Sequence, residues 1–170
     1  MIRIGLFCIS LFMLQCQHAM KQTISYDHKN NKVITGYTDF NQLRSDTCFY
    51  WFNEYYDNYK IDTLTTEAIH AIPFEYDIVV LLGTWCSDTK QQLPALYKII
   101  ERVNFPEKKI KLIGVNRDKK GMHNESELFQ LDRVPTIIFI KGKKEIGRIT
   151  ETPQLSLEKD WLQIIQATTY

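Results

Sequence analysis

The sequence predicts an α/β domain built on a central mixed β-sheet flanked by helices, and three observations carry that prediction. Ile78-Val79-Val80-Leu81-Leu82 is a short unbroken apolar run closed by Gly83, the pattern of a strand buried on both faces. Leu93, Leu96, Tyr97, Ile99 and Ile100 follow it at helical spacing. Further on, the runs Ile137–Ile140 and Glu145–Ile149 meet at the turn Lys141-Gly142-Lys143 and lead into an amphipathic stretch from Leu155 to Ala167. Strand, helix, strand, then hairpin and helix, is a mixed α/β order.

The first residues stand apart from that domain. Arg3 precedes a charge-free apolar run from Ile4 to Leu14, too short to span a bilayer and fitted to the apolar region of an export leader. Residues 1–19 therefore read as a leader, and the mature protein as exported, to the periplasm or the cell envelope. Met13-Leu14-Gln15-Cys16 resembles the lipobox of bacterial lipoproteins, which makes Cys16 the candidate lipidation site and an N-terminal membrane tether. Gln15 departs from that pattern, which takes a small residue there. The alternative leaves Cys8 and Cys16 as plain apolar members of the leader.

Residues 20–72 read as an N-terminal extension. Ile24-Ser25-Tyr26 and Val33-Ile34-Thr35 flank a polar turn and predict two short strands. Between Asn41 and Tyr59, Cys48, Phe52, Tyr55 or Tyr56, and Tyr59 recur at helical spacing, predicting one amphipathic helix with an aromatic face that buries Cys48. A second helix is expected from Thr63 to Ala71, with Asp62 as its N-cap and Pro73 beyond its end.

Residues 73–170 form the domain proper. After the strand at Ile78, Thr84-Trp85-Cys86-Ser87-Asp88-Thr89 leads into a helix running to about Val103, so Cys86 caps a strand-to-helix turn. A strand from Ile110 to Val115 follows, then a polar segment with a short helical turn near Leu128-Phe129. Val134-Pro135-Thr136 opens the strand of the final hairpin.

Composition excludes several classes of function. The chain has 170 residues, a formal net charge of +1 and interspersed acids and bases, so no nucleic-acid footprint is expected. The stretches Lys108-Lys109-Ile110-Lys111 and Lys141-Gly142-Lys143-Lys144 read as solvated strand ends. His18, His28, His70 and His123 lack ligand spacing, so no metal is predicted. Gly114-Val115-Asn116-Arg117-Asp118 follows a strand without a dinucleotide or phosphate-loop pattern, and no cofactor is expected. With two of the four cysteines in the leader, only Cys48 and Cys86 remain, which rules out a disulfide-dense scaffold.

These residues resemble the thioredoxin superfamily. Trp85-Cys86 sits at the strand-to-helix turn, Pro94 lies eight residues after the cysteine, Val134-Pro135-Thr136 matches the cis-proline segment, and Gly147 precedes the final helix. The resemblance covers roughly Asp77 to Ala167 and implies a thioredoxin fold with an N-terminal helical extension. More closely, Leu-Gly-Thr-Trp-Cys-Ser-Asp-Thr followed by Leu-Pro is similar to a thioredoxin-like group of Bacteroidetes-type bacteria. Two departures matter. Thr89 stands where the family has its second, resolving cysteine, and Val80 replaces the buried acid six residues before the first.

The resemblance makes Cys86 the candidate catalytic residue, with Trp85, Thr89, Val134 and Pro135 lining a substrate groove. A helix N-terminus favours a thiolate over a thiol, while Asp88 in the same turn opposes it. Thr89 is placed to donate a hydroxyl hydrogen bond to the sulfur. A cis bond before Pro135 would present the Val134 backbone to an extended substrate. Trp85 forms a wall of the groove or packs beneath it. One cysteine cannot resolve its own mixed disulfide, so release needs an external thiol, or Cys48. The sequence thus predicts a monomer exchanging with protein thiols and disulfides or with small thiols. The alternative is a catalytically silent binding module on the same fold. A peroxidase reading lacks the hydroxyl residue expected at Gly83, and Ser87-Asp88 departs from monothiol glutaredoxins.

Overall fold

The computed structural model describes residues 21–167, and the leader residues, Cys16 among them, lie outside it. Six strands form one mixed sheet in the order β1-β2-β4-β3-β5-β6. The strands are β1 (Gln22–Tyr26), β2 (Lys32–Thr38), β3 (Asp77–Leu82), β4 (Ile110–Gly114), β5 (Thr136–Lys141) and β6 (Lys144–Thr150). The helices are α1 (Phe40–Ser45), α2 (Trp51–Asn58), α3 (Thr63–His70), α4 (Ser87–Val103), α5 (Glu125–Leu128) and α6 (Leu157–Gln166).

The apolar run at Ile78 takes the central place its composition predicts. β3 pairs in parallel with β4 and antiparallel with β5, and Ile78 through Leu82 are all buried. One face, with Ile78, Val80 and Leu82, packs into the larger core against α4 and α6, where Leu93, Leu96, Ile100 and Trp161 lie. The other face, with Val79 and Leu81, joins Ile113, Val134 and Ile138 in a smaller cluster that Trp85 and Cys86 also touch. The sheet continues across the boundary drawn from sequence at residue 72, because β2 pairs with β4 through Thr38 and Leu112.

The single aromatic helix expected between Asn41 and Tyr59 is broken. Asp46 ends α1, and its carboxylate accepts from the Cys48 N–H at 2.9 Å to start a turn of 3₁₀ helix at Thr47–Phe49. An acidic residue satisfying the orphan N–H groups of a new helix start competes with continuing the old helix. The break rotates the register, so Phe49, Trp51 and Phe52 are buried while Cys48 is exposed. The expected burial of Cys48 is therefore corrected: it carries a free surface thiol. α3, by contrast, begins as predicted, with Asp62 accepting from the Thr65 N–H at 3.1 Å, a cap worth about 1 kcal/mol.

The last hairpin and α6 meet at Gly147, where a side chain would have no room. A Cβ at that position would lie 2.8 Å from two carbons of Ile164. The glycine therefore sets the close approach of α6 to β6. Beneath this contact the Trp161 indole N–H donates to the Tyr76 hydroxyl at 2.8 Å inside the core.

Candidate functional site around Cys86

The site is assembled at the end of the sheet where β3 finishes. Gly83 closes the strand, and its carbonyl accepts from the Cys86 N–H at 2.8 Å, folding residues 83–86 into a tight turn. Cys86 then serves as N-cap of α4 in extended conformation, with its carbonyl accepting the first helical bond from Lys90 at 3.1 Å. No side chain caps this helix start, and Asp88 lies in its first turn. The first-turn N–H groups therefore have no side-chain acceptor.

Across the groove, the Val134–Pro135 peptide bond is cis, as the resemblance to thioredoxins implies. The Cys86 thiol donates to the Val134 carbonyl at 3.2 Å. Val134 and Pro135 are themselves buried, and the Val134 carbonyl meets the Cys86 sulfur. Cys86, Trp85, Val134 and Pro135 are thus brought together.

Thr89 is not part of that surface. It is fully buried, and its hydroxyl accepts from the Gly83 N–H at 3.3 Å, which corrects the expected bond to the Cys86 sulfur. The helical turn that carries Thr89 places its side chain under the Cys86 turn, where it braces the strand end. Val80 lies buried within the larger core, confirming an apolar residue where thioredoxins bury an acid.

Trp85 is half-buried, and its indole N–H donates to the Val115 carbonyl at 3.0 Å. The Arg117 guanidinium stacks 5.1 Å over the same ring. Arg117 in turn donates from Nε (2.9 Å) and Nη2 (2.5 Å) to one carboxylate oxygen of Asp27, in the β1–β2 turn. Burial alone would raise the Asp27 carboxyl. The Asn31 N–H, Arg117, the Asn31 amide and the Lys29 N–H outweigh it and hold the group well below the usual carboxylate range. Sequence reading missed this Asp27–Arg117–Trp85 stack, since nothing local links residues 90 positions apart. Among the described residues no cluster of three or more His, Cys, Asp or Glu side chains could hold a metal ion.

A cysteine capping the helix that follows a central strand, facing a cis-proline loop, defines a thioredoxin-fold protein with a single thiol at its site. A family model described as thioredoxin matches residues 30–161, and the chain belongs to the thioredoxin family. Among solved structures, a Pseudomonas aeruginosa protein of unknown function matches with a TM-score of 0.60 at 17% identity, covering 78% of this chain and 94% of its own. An HIV epitope-scaffold matches with a TM-score of 0.52 at 19% identity, covering 71% of this chain and 82% of its own. Both likenesses are of fold. No curated protein matches the chain.

Proposed function

We propose that this is a thiol-active thioredoxin-like protein of the cell envelope, of the group found in Bacteroidetes-type bacteria, that forms mixed disulfides through Cys86. In this reading it is exported by its leader, tethered through a lipid on Cys16 and monomeric, and it acts on protein disulfides or small thiols. The observation that carries the reading is half-buried Cys86 at the start of α4, its sulfur 3.2 Å from the Val134 carbonyl beside the cis Val134–Pro135 bond. The Val134 N–H has no partner among the described residues, which leaves it to pair with a carbonyl of an extended substrate.

The chemistry balances in two exchanges. The Cys86 thiolate attacks one sulfur of a disulfide R–S–S–R′, forming Cys86–S–S–R and expelling R′–S⁻. Thr89 supplies no second thiol, so an external thiolate R″–S⁻ attacks the R sulfur, restoring the Cys86 thiolate and releasing R–S–S–R″. The competing reading, a silent binding module, draws on the loss of both the resolving cysteine and the buried acid.

The test uses a Cys48→Ala background, which removes the exposed second thiol. Folded protein incubated with oxidised glutathione should gain one glutathionyl adduct by intact mass, absent in Cys86→Ser, and the adduct should persist until a free thiol is added. A folded protein that forms no adduct would leave the binding-module reading standing.

A further inference from the structure

The lysine stretches that read separately in the sequence meet at one end of the fold. Ile78 lies beside Ile110 in the parallel β3–β4 pair, and Asp77 lies opposite Ile140 in the β3–β5 pair. The start of β4, after Lys108, and the β5–β6 turn, with Lys143 and Lys144, therefore share the end of the sheet where β3 begins. Thr38 at the close of β2 pairs with Leu112, so β2 runs toward this end, while Lys21, whose carbonyl accepts from the Tyr37 N–H at 3.2 Å, stands level with Ile113 and Leu81 further up the sheet. Cys86 lies past the opposite end of β3.

Lys21, Lys108, Lys111, Lys143 and Lys144 are all exposed, and none makes an ion pair among the described residues. Against them stand Asp77 and Glu107, Asp39, which caps α1 by accepting from Gln42, and Glu75, which pairs with Lys141 at 3.0 Å. Beside β2 and β4 opens a mostly apolar groove of about 750 Å³, with Tyr37, Phe40, Ile110 and Leu112 in its lining and Lys21, Lys108 and Lys111 at its rim, while Lys143 and Lys144 stand apart from it on the β5–β6 turn.

We propose that this end of the sheet is a membrane-facing surface that binds anionic phospholipid, the lysines taking the headgroup phosphates and the groove the upper acyl chain. The inference rests on the tethered reading of Cys16. Four residues lie between Cys16 and Lys21, and the five steps of chain span at most about 18 Å, so a lipid on Cys16 keeps the groove rim within reach of the bilayer surface. Unpaired lysines near an anionic leaflet each add to attraction within a screening length. The orientation turns Cys86 away from the membrane, toward soluble partners.

The sheet, the helices and both core clusters are built from residues 21–167, so a protein beginning at Gln17 keeps the fold and carries neither apolar leader nor lipid. Its sedimentation with vesicles of phosphatidylcholine is compared with that on vesicles containing phosphatidylglycerol at roughly one lipid in three. The expected result is binding about tenfold stronger on the anionic vesicles, removed by half-molar salt. Lys108→Glu, Lys111→Glu and Lys143→Glu combined should abolish the preference. Lys29→Glu, Lys90→Glu and Lys120→Glu, an equal change of charge at the Cys86 end, should largely keep it. Equal binding to both vesicles, or equal loss in the two triple variants, overturns the proposal. Metabolic labelling of Cys16 with a fatty acid tests the tether separately: vesicle preference without labelling upholds the lipid surface and removes only the anchor.

Discussion

The Cys86 sulfur and the Val134 carbonyl, 48 residues apart in sequence, lie 3.2 Å from each other with the thiol donating. The contact joins the first turn of α4 to the cis-proline loop, the two halves of the groove. One partner follows the end of β3 and the other precedes the start of the adjacent antiparallel β5, so the groove exists only once that pairing is made. A substrate sulfur approaching Cys86 must displace or share this carbonyl contact.

Cys48 and Cys86 differ in role and should differ in the cost of removal. Cys48 is exposed, and its main contribution is a backbone N–H held by Asp46, which any residue supplies. Cys48→Ala should leave stability within about 0.5 kcal/mol in urea unfolding. Folded Cys86→Ser protein should still react with a maleimide at one site, Cys48. Protection of that site until unfolding would contradict the exposed 3₁₀ turn.

The Asp27–Arg117 pair should make stability depend on pH. The Asp27 carboxyl is held below its unfolded value, so its contribution is complete above about pH 4 and is lost as pH falls through the lower folded value. The Tm difference between the native protein and Asp27→Asn should be largest near pH 7 and shrink steadily below pH 4. A difference that stays constant down to pH 2.5 would show that the carboxylate charge is not what Asn31, Lys29 and Arg117 stabilise.

Gly147 and Ile164 should be coupled. A Cβ at Gly147 meets Ile164 carbons at 2.8 Å, so Gly147→Ala should cost about 1–3 kcal/mol by overpacking. Shortening the opposing chain makes room, and Gly147→Ala with Ile164→Ala should be less destabilised than the sum of the two single variants. Additive losses in a double-mutant cycle would rule out the contact as the cause.

Glu158 should matter more than its chemistry on a helix suggests. It is 1% exposed, and its carboxylate accepts from the Tyr59 hydroxyl at 2.9 Å and the Asp62 N–H at 3.1 Å, joining α6 to the loop between α2 and α3. Burial, then the Glu158 charge, pushes the Tyr59 hydroxyl well above its ordinary value and keeps it a donor. Glu158→Ala leaves two donors without their acceptor and should cost about 1–3 kcal/mol in denaturant unfolding. Unchanged stability would mean that water replaces the carboxylate at no cost.

Local pattern was enough for most of the fold. The unbroken run Ile78–Leu82 announced a strand buried on both faces because a two-sided core admits no polar alternation. Asp62 announced a helix start because its carboxylate satisfies N–H groups that only a helix end leaves free. The cysteine turn, Pro94 and Val134-Pro135 pointed to the thioredoxin family, which the family match supports. Where two local rules competed, as at Asp46, apolar periodicity misled: a cap that restarts the helix outweighed a repeat that would continue it.

The sequence by itself determined the order of elements from β3 onward, the single thiol at the head of α4 and the absence of a second one at Thr89, since each depends on residues close along the chain. Only the tertiary structure decided which distant groups meet there. It set the Val134 carbonyl on the Cys86 sulfur, Arg117 between Trp85 and Asp27, and Thr89 beneath the turn. It also gathered the scattered lysines at the end of the sheet opposite the thiol. The reason is physical: strand pairing and register fix these contacts across tens of residues, and no local pattern encodes the register of a strand with a partner it has not yet met.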